Sequence, residues 1–204
     1  FAEAGIPQPE FAACDEPSAE AFAAFGYPLV QKLRRGGYDG RGVAVIDSPA
    51  ELDRMLAGPS IVERRVDIEK ELAAVVARGL DGQMRAYPLV EMEFDPRANL
   101  LDLLLAPARL PAETARRADE IAHATVAALG GVGVFGVELF WTKSGEVLVN
   151  EVAPRPHNSA HYTYEACLTS QFEQHIRAVT GLPLGSPEMT KPAAMANLLG
   201  APDG

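Results

Sequence analysis

The chain has 204 residues, enough for one or two domains with a real core. Apolar residues make up 48% and charged residues 23%, and 18 Gly with 16 Pro exclude a coiled coil. A net charge of −10 with no basic stripe excludes a nucleic-acid binder, whose affinity rests on neutralising phosphates. Local amides, lysines and metal ions can still hold an anionic ligand.

No uncharged run is long enough to span a bilayer and no cationic, apolar leader opens the chain, so a cytoplasmic setting is expected. Cys14 and Cys167 match no CxxC pattern and read as free thiols. Phe1 in place of Met reads as a piece of a longer protein.

In chain order, a helix is predicted over Pro17 to Phe25, starting near Ser18, and a strand over Pro28 to Leu33. A glycine-rich turn, Gly36 to Gly42, leads to a strand over Val43 to Ile46, and Ser48 is placed to cap a helix through Leu56. Strands are expected over Ile61 to Val66 and Glu71 to Arg78. Asp81-Gly82 signals a hairpin that pairs Gln83 to Phe94 back on the preceding strand. Leu100 to Leu105 reads as a strand or buried link. The clearest helix is Pro111 to Leu129, with Ala118, Ile121, Ala122, Thr125 and Leu129 on one face and Gly130-Gly131 as its stop. Two strands follow, Gly133 to Trp141 and Glu146 to Val152. A last helix is expected over Tyr164 to Val179, with Leu168, Phe172, Ile176 and Val179 at helical spacing. Strands, hairpins and helices mix, so the class is α+β with antiparallel sheets.

The hairpin carries the most chemistry. With a tight turn at Ser144-Gly145, Glu138 stands directly opposite Glu151, with Cβ atoms about 5 Å apart. Two carboxylates so placed among apolar neighbours need a cation, and hard oxygen ligands suit Mg²⁺; the alternative is a solvated acidic pair on an exposed sheet face. A three-residue loop would shift the register by one. Asn150 adds an oxygen, although its side chain starts on the opposite face. The glycine-rich turn can bring N–H groups to phosphate oxygens, with Lys32 on the preceding strand as a phosphate ligand; it is not a GxxxxGK[ST] loop. The segment Glu151 to His161 holds Arg155 between two prolines, suited to an anion. His157 and His161 have a spacing that suits zinc, but no third ligand is evident. His123 and His175 read as helix-surface residues without a role. Ile61 to Val66 leads towards Glu71 and can offer backbone groups to a purine and a carboxylate to a ribose, or be a plain surface strand.

RRGGYDGRG, ERRVDIEKELAAVVARG, GVFGVELFWTKSGEVLVNEVAPRPHNSAH and TYEACLTSQFEQHIRAVTGLPLG closely resemble the N5-carboxyaminoimidazole ribonucleotide synthases of the ATP-grasp superfamily. The resemblance implies two α+β subdomains whose antiparallel sheets grip the nucleotide. The ATP-grasp domain would cover 1–190, with a smaller subdomain over about 1–62 and a larger one with the metal site over 63–190, and 191–204 would open a C-terminal β domain. It implies ATP and Mg²⁺ as cofactors, bicarbonate and 5-aminoimidazole ribonucleotide as substrates, carboxyphosphate as intermediate, a homodimer in the full protein, and no activity in this piece alone.

By the family pattern Lys32 and the loop Gly37, Tyr38, Asp39, Gly40, Arg41 and Gly42 contact ATP phosphates. Glu63, Arg64, Arg65 and Val66 form the adenine hinge, and Glu71 holds the ribose. Glu138 and Glu151 bind Mg²⁺, with Asn150 and Glu151 also on the nucleotide. Arg155, His157 and Asn158 hold bicarbonate, and Tyr38 and Asp39 lie near the aminoimidazole. Lys32 and Arg155 are the catalytic cations. Two departures stand out. Glu91-Met92-Glu93-Phe94 stands where many relatives have Glu-Asn-x-His, and Ala73 replaces a frequent Ser. The alternatives are another ATP-grasp ligase with a different acceptor and a nucleotide-binding module without chemistry.

Overall fold

The computed structural model describes residues 1–37, 42–95 and 100–198. The fold is α+β and divides into two compact units. Pro9–Asp67 forms the smaller; Phe1–Gln8, Ile68–Asp95 and residues 101–198 form the larger. The division thus falls a few residues later than the sequence suggests, and the first eight residues join the larger unit. There Ile6 is buried in the core, and the Pro7 carbonyl accepts a hydrogen bond from the Val149 amide at 2.8 Å.

The smaller unit contains β1 (Phe11–Cys14), α1 (Ala19–Phe25), β2 (Leu29–Leu33), β3 (Val43–Ile46) and β4 (Ser60–Arg64). Its antiparallel sheet has the order β1-β4-β2-β3. Ser18 caps α1 by accepting the Ala21 N–H at 3.2 Å. Phe22 then packs into a core of Cys14, Leu29, Ile46 and Val62. Gln31 is wholly buried in this sheet because its amide serves the Leu56 N–H, the Leu56 carbonyl and the Ser60 hydroxyl. The helix expected after Ser48 is only a 3₁₀ turn, Pro49–Arg54, and the Ser48 side chain caps nothing. Instead the Glu51 carboxylate reaches back to the Asp47 N–H at 2.9 Å, which tightens the turn and ends it early.

The larger unit contains β5 (Ile68–Arg78), β6 (Met84–Ala86), β7 (Val90–Asp95), β8 (Leu100–Ala106), α2 (Ala112–Leu129), β9 (Gly133–Thr142), β10 (Val147–Ala153), α3 (Thr163–Ala166), α4 (Gln171–Thr180) and β11 (Ala193–Ala196). Among the described residues its sheet runs β10-β9-β5-β7-β8-β11, with β6 also on β5. The central β5 is buried on both faces, which explains its unbroken apolar run, Leu72 to Ala77. Leu72, Ala74 and Val76 face Ala118, Ile121, Ala122 and Val126 of α2. Ala73, Val75 and Ala77 face the second cluster, which includes Met92, Leu104 and Tyr162. Leu129, assigned to the buried face of α2 by its spacing, is half exposed, and Val126 takes its place. The strand expected over Gln83 to Phe94 is two strands, broken around Pro88, which has no N–H for the ladder. The C-terminal β11 pairs with β8 and so continues this sheet.

The last predicted helix is corrected most. It breaks between α3 and α4, where Ser170 caps a new start by accepting the Glu173 N–H. Leu168, Phe172, Ile176 and Val179 are exposed, while Gln171, Gln174 and Ala178 are buried. The two glutamines go inside because each amide satisfies a backbone donor and acceptor: Gln171 those of His157, Gln174 those of Gly185. Both cysteines are free. Among the described residues no helix is long and apolar enough to cross a membrane.

Candidate active site

Strand register aligns the chemistry-bearing side chains of the larger unit. Opposed residues share a sheet face, as do residues two apart along a strand. Glu71, Phe140 and Leu148 form one row across β5, β9 and β10. Ala73, Glu138 and Glu151 form the next, and Val75, Gly136 and Ala153 the one after. Glu71, Glu138 and Glu151 therefore project from one face, opposite the face that α2 covers.

The expected opposition of Glu138 and Glu151 is present, but the chain reaches it by another route. The β9–β10 turn holds three residues between Thr142 and Glu146, with Gly145 at φ 90°, so Val147 pairs with Trp141 rather than with Thr142. That register alone would put Asn150 opposite Glu138. A bulge between Val149 and Glu151 takes up the extra residue and restores the Glu138–Glu151 pair. Val147, Val149 and Val152 stay on the α2 side, so the bulge keeps Glu151 out of the apolar core. It also brings Asn150 round, and the Asn150 amide donates to Glu138 Oε2 at 3.5 Å.

His157 follows on the segment after β10 and is buried. Its ring lies over Gly136, where a Cβ would come 2.6 Å from the ring Cγ. Its Nε2 faces Glu138 Oε1 at 3.3 Å and its Nδ1 faces the Ser159 hydroxyl at 2.8 Å. Burial, with Arg155 and His161 nearby, pushes the imidazole down to about 4, so it is neutral at pH 7. Burial alone raises the Glu71 carboxyl above the usual range. Arg155 and Asn158 are exposed on the same segment, and Arg155 donates to the Pro156 carbonyl at 3.0 Å. His161 stacks on Phe172, with ring centroids 5.9 Å apart. The paired carboxylates and the Asn150 amide offer hard oxygens on one face, a donor set that fits Mg²⁺ completed by water or phosphate.

In the smaller unit Lys32 Nζ lies 2.8 Å from Glu63 Oε2, both largely buried. The side chains of the two arginines in the expected hinge have partners of their own. Arg64 donates to the Phe25 and Gly26 carbonyls and lies over the Phe25 ring at 4.9 Å, and Arg65 pairs with Asp47. Gly37 and Gly42 flank the glycine-rich loop, whose base closes through the Leu33 N–H and the Gly42 carbonyl at 2.8 Å. Tyr38, Asp39, Gly40 and Arg41 lie outside the described residues.

The family model of the ATP-grasp domain matches residues 1–172. The chain belongs to the ATP-grasp family. This ATP-grasp chain is 45% identical over 177 residues to the N5-carboxyaminoimidazole ribonucleotide synthase of Bacillus subtilis, covering 85% of this chain and 46% of the relative. The crystal structure of the Thermotoga maritima N5-carboxyaminoimidazole ribonucleotide synthetase is 48% identical, with a TM-score of 0.86 over 98% of this chain and 52% of that one. The Aspergillus clavatus synthase, solved with ADP and 5-aminoimidazole ribonucleotide, is 32% identical, with a TM-score of 0.88 over 98% and 55%. The ATP-grasp chain thus spans about half the length of these relatives.

Of the residues singled out in the sequence, Glu71, Glu138, Asn150, Glu151 and His157 come together in the larger unit, and Lys32 with Glu63 in the smaller. Phe94 packs against the second apolar cluster and Met92 is buried within it. Gln171 was passed over in the sequence. It clamps both the N–H and the carbonyl of His157, at 2.9 and 2.7 Å. A glutamine one position after a capping serine is the only sign it leaves in the sequence. His175 is not a free surface residue either, since its Nδ1 accepts the Val134 N–H at 3.1 Å.

Proposed function

We propose that the full-length protein carrying this chain is an ATP-dependent ligase, an N5-carboxyaminoimidazole ribonucleotide synthase acting in the cytoplasm. It transfers the γ-phosphoryl group of ATP to bicarbonate, releasing ADP. The exocyclic amine of 5-aminoimidazole ribonucleotide then attacks the carboxyphosphate carbon and phosphate departs. The observation that carries this reading is that Glu71, Glu138 and Glu151 share one sheet face in two adjacent rows, with Glu151 running on into the Arg155 segment.

Glu71 borders a depression also lined by Ile68, Lys70, Glu91, Met92, Glu93 and Arg109, and its carboxyl accepts the ribose hydroxyls. Glu138 and Glu151, with the Asn150 amide, hold Mg²⁺, which supplies charge stabilisation at the transferred phosphoryl group. Lys32 and the backbone of Gly37 to Gly42 neutralise phosphate oxygens, with Tyr38 and Asp39 towards the aminoimidazole. Glu63 to Val66 offer backbone groups to adenine; the Arg64 and Arg65 guanidinium groups have other partners and take no part. Arg155, with Asn158, holds bicarbonate by its planar fork. These fixed charges act mainly by electrostatics, as phosphoryl transfer requires.

The test is ADP release by the full-length protein with Mg-ATP, with and without bicarbonate and 5-aminoimidazole ribonucleotide. Release that depends on both, with a carboxylated product, is expected. Release indifferent to the ribonucleotide but driven by another acceptor would keep the ligase and discard the acceptor. Nucleotide binding without turnover would leave a module without chemistry. The 204-residue piece alone is expected to be inactive, and light scattering of the full-length protein should report a homodimer.

A further inference from the structure

We infer that His157 is a positioning residue that fixes the Glu138 carboxylate, rather than a contact for bicarbonate; this rests on Glu138 being a magnesium ligand. Nδ1 is hydrogen-bonded and Nε2 faces a carboxylate oxygen. The Ser159 hydroxyl lies 2.8 Å from Nδ1, and the Ser159 backbone N–H donates to the same atom at 3.4 Å. Nδ1 must therefore be the acceptor, and the ring proton sits on Nε2, which faces Glu138 Oε1 at 3.3 Å. The side chain is only 6% exposed, leaving little surface for a substrate.

The ring and its backbone are also fixed by neighbours from other elements. Gly136 forms its floor, and any side chain there would displace it. Gln171 fixes the His157 backbone, and the Gln171 N–H in turn donates to Thr163 Oγ1 at 3.0 Å. A neutral N–H beside one carboxylate oxygen sets its rotamer without cancelling its charge, as a lysine or arginine would. The opposite oxygen is steadied by the Asn150 amide. Outer partners of this kind tune metal affinity, typically by about 10- to 100-fold.

The test uses full-length protein with ADP and no bicarbonate or ribonucleotide, titrated with Mn²⁺ and followed by electron paramagnetic resonance, with thermal melts confirming each variant is folded. His157→Leu should weaken Mn²⁺ binding about 10- to 100-fold. His157→Gln, which keeps an N–H near the Nε2 position, should recover most of it, and Ser159→Ala should fall between. Wild-type affinity in His157→Leu, together with a raised bicarbonate KM, would overturn the inference. Equal weakening by Leu and Gln would also overturn it, because that pattern marks packing alone. Should His157→Leu not fold, Ser159→Ala with unchanged Mn²⁺ affinity decides against it. Glu138→Gln is the separate control: if it binds Mn²⁺ like the wild type, the metal reading of Glu138 fails whatever His157 does.

Discussion

The two faces of the larger sheet treat their carboxylates differently. On the α2 side Glu91 is 4% exposed and answered by two cations, Lys70 and Arg109. On the other side Glu138 stands directly opposite a second carboxylate, with the His157 imidazole and the Asn150 amide among its neighbours. The Glu91 carboxylate is charge-compensated by the fold itself. Like charges directly opposite each other repel, so the Glu138–Glu151 pair favours a cation beside it.

Substitutions on the two faces should separate along the same line. Glu151→Gln is expected to cut ATP turnover of the full-length protein about 100-fold or more, since metal stabilisation supplies several kcal/mol and each 1.36 kcal/mol is tenfold. Its melting temperature should stay near that of the wild type. Wild-type-like turnover would remove the metal assignment. Leu72→Ala, beneath α2, should instead cost about 2–5 kcal/mol in a denaturant titration. Any folded fraction should bind ADP normally; weakened binding there would mean the faces are not independent.

Glu91→Gln comes next, at about 1–3 kcal/mol, because Lys70 and Arg109 can turn partly to water once their partner is neutral. Burial raises the Glu91 carboxyl, but hydrogen bonds from Lys70 and Arg109 and the charge of Lys70 outweigh it and hold the carboxyl below its ordinary value. A group lowered in the folded state gives stability that is full above its unfolded pKa, about 4.3, and is lost as pH falls through the folded value. Melts from pH 6 downward should therefore show a steeper acid loss in the wild type than in Glu91→Gln; parallel curves would count against the triad. The smallest effect belongs to Ile176→Ser on α4, expected within about 0.5 kcal/mol because Ile176 is 57% exposed. A large loss would restore the packed face that the spacing suggested.

Local rules made much of this legible. The Ser18 cap, the strand Val43–Ile46, the helix from Pro111 and its Gly130 stop follow from residue chemistry within a few positions. The opposition of Glu138 and Glu151 was readable, although the turn and bulge that produce it were not. The α4 face misled because apolar spacing says nothing of polar groups that pair inside, and Gln171 and Gln174 are buried by hydrogen bonds to distant backbone. The side-chain partners of Arg64 and Arg65 were not legible, because they lie 18 to 39 residues away, beyond any motif. The three-residue turn was weighed as an alternative, but the bulge that cancels its effect on register left no sign in the sequence.

That cancellation makes sidedness along β10 a matter of parity. One surplus residue in the turn inverts which side chains look inward, and one at Asn150 inverts them back, so only the odd–even sum of the two is fixed. Flattening the bulge with Asn150 kept, so that Asn150 pairs with Glu138, would send the Glu151 carboxylate under α2. Deleting Asn150 removes the surplus residue itself and leaves Glu151 opposite Glu138. Any redesign of this hairpin must therefore settle the side of Glu151 at the kink.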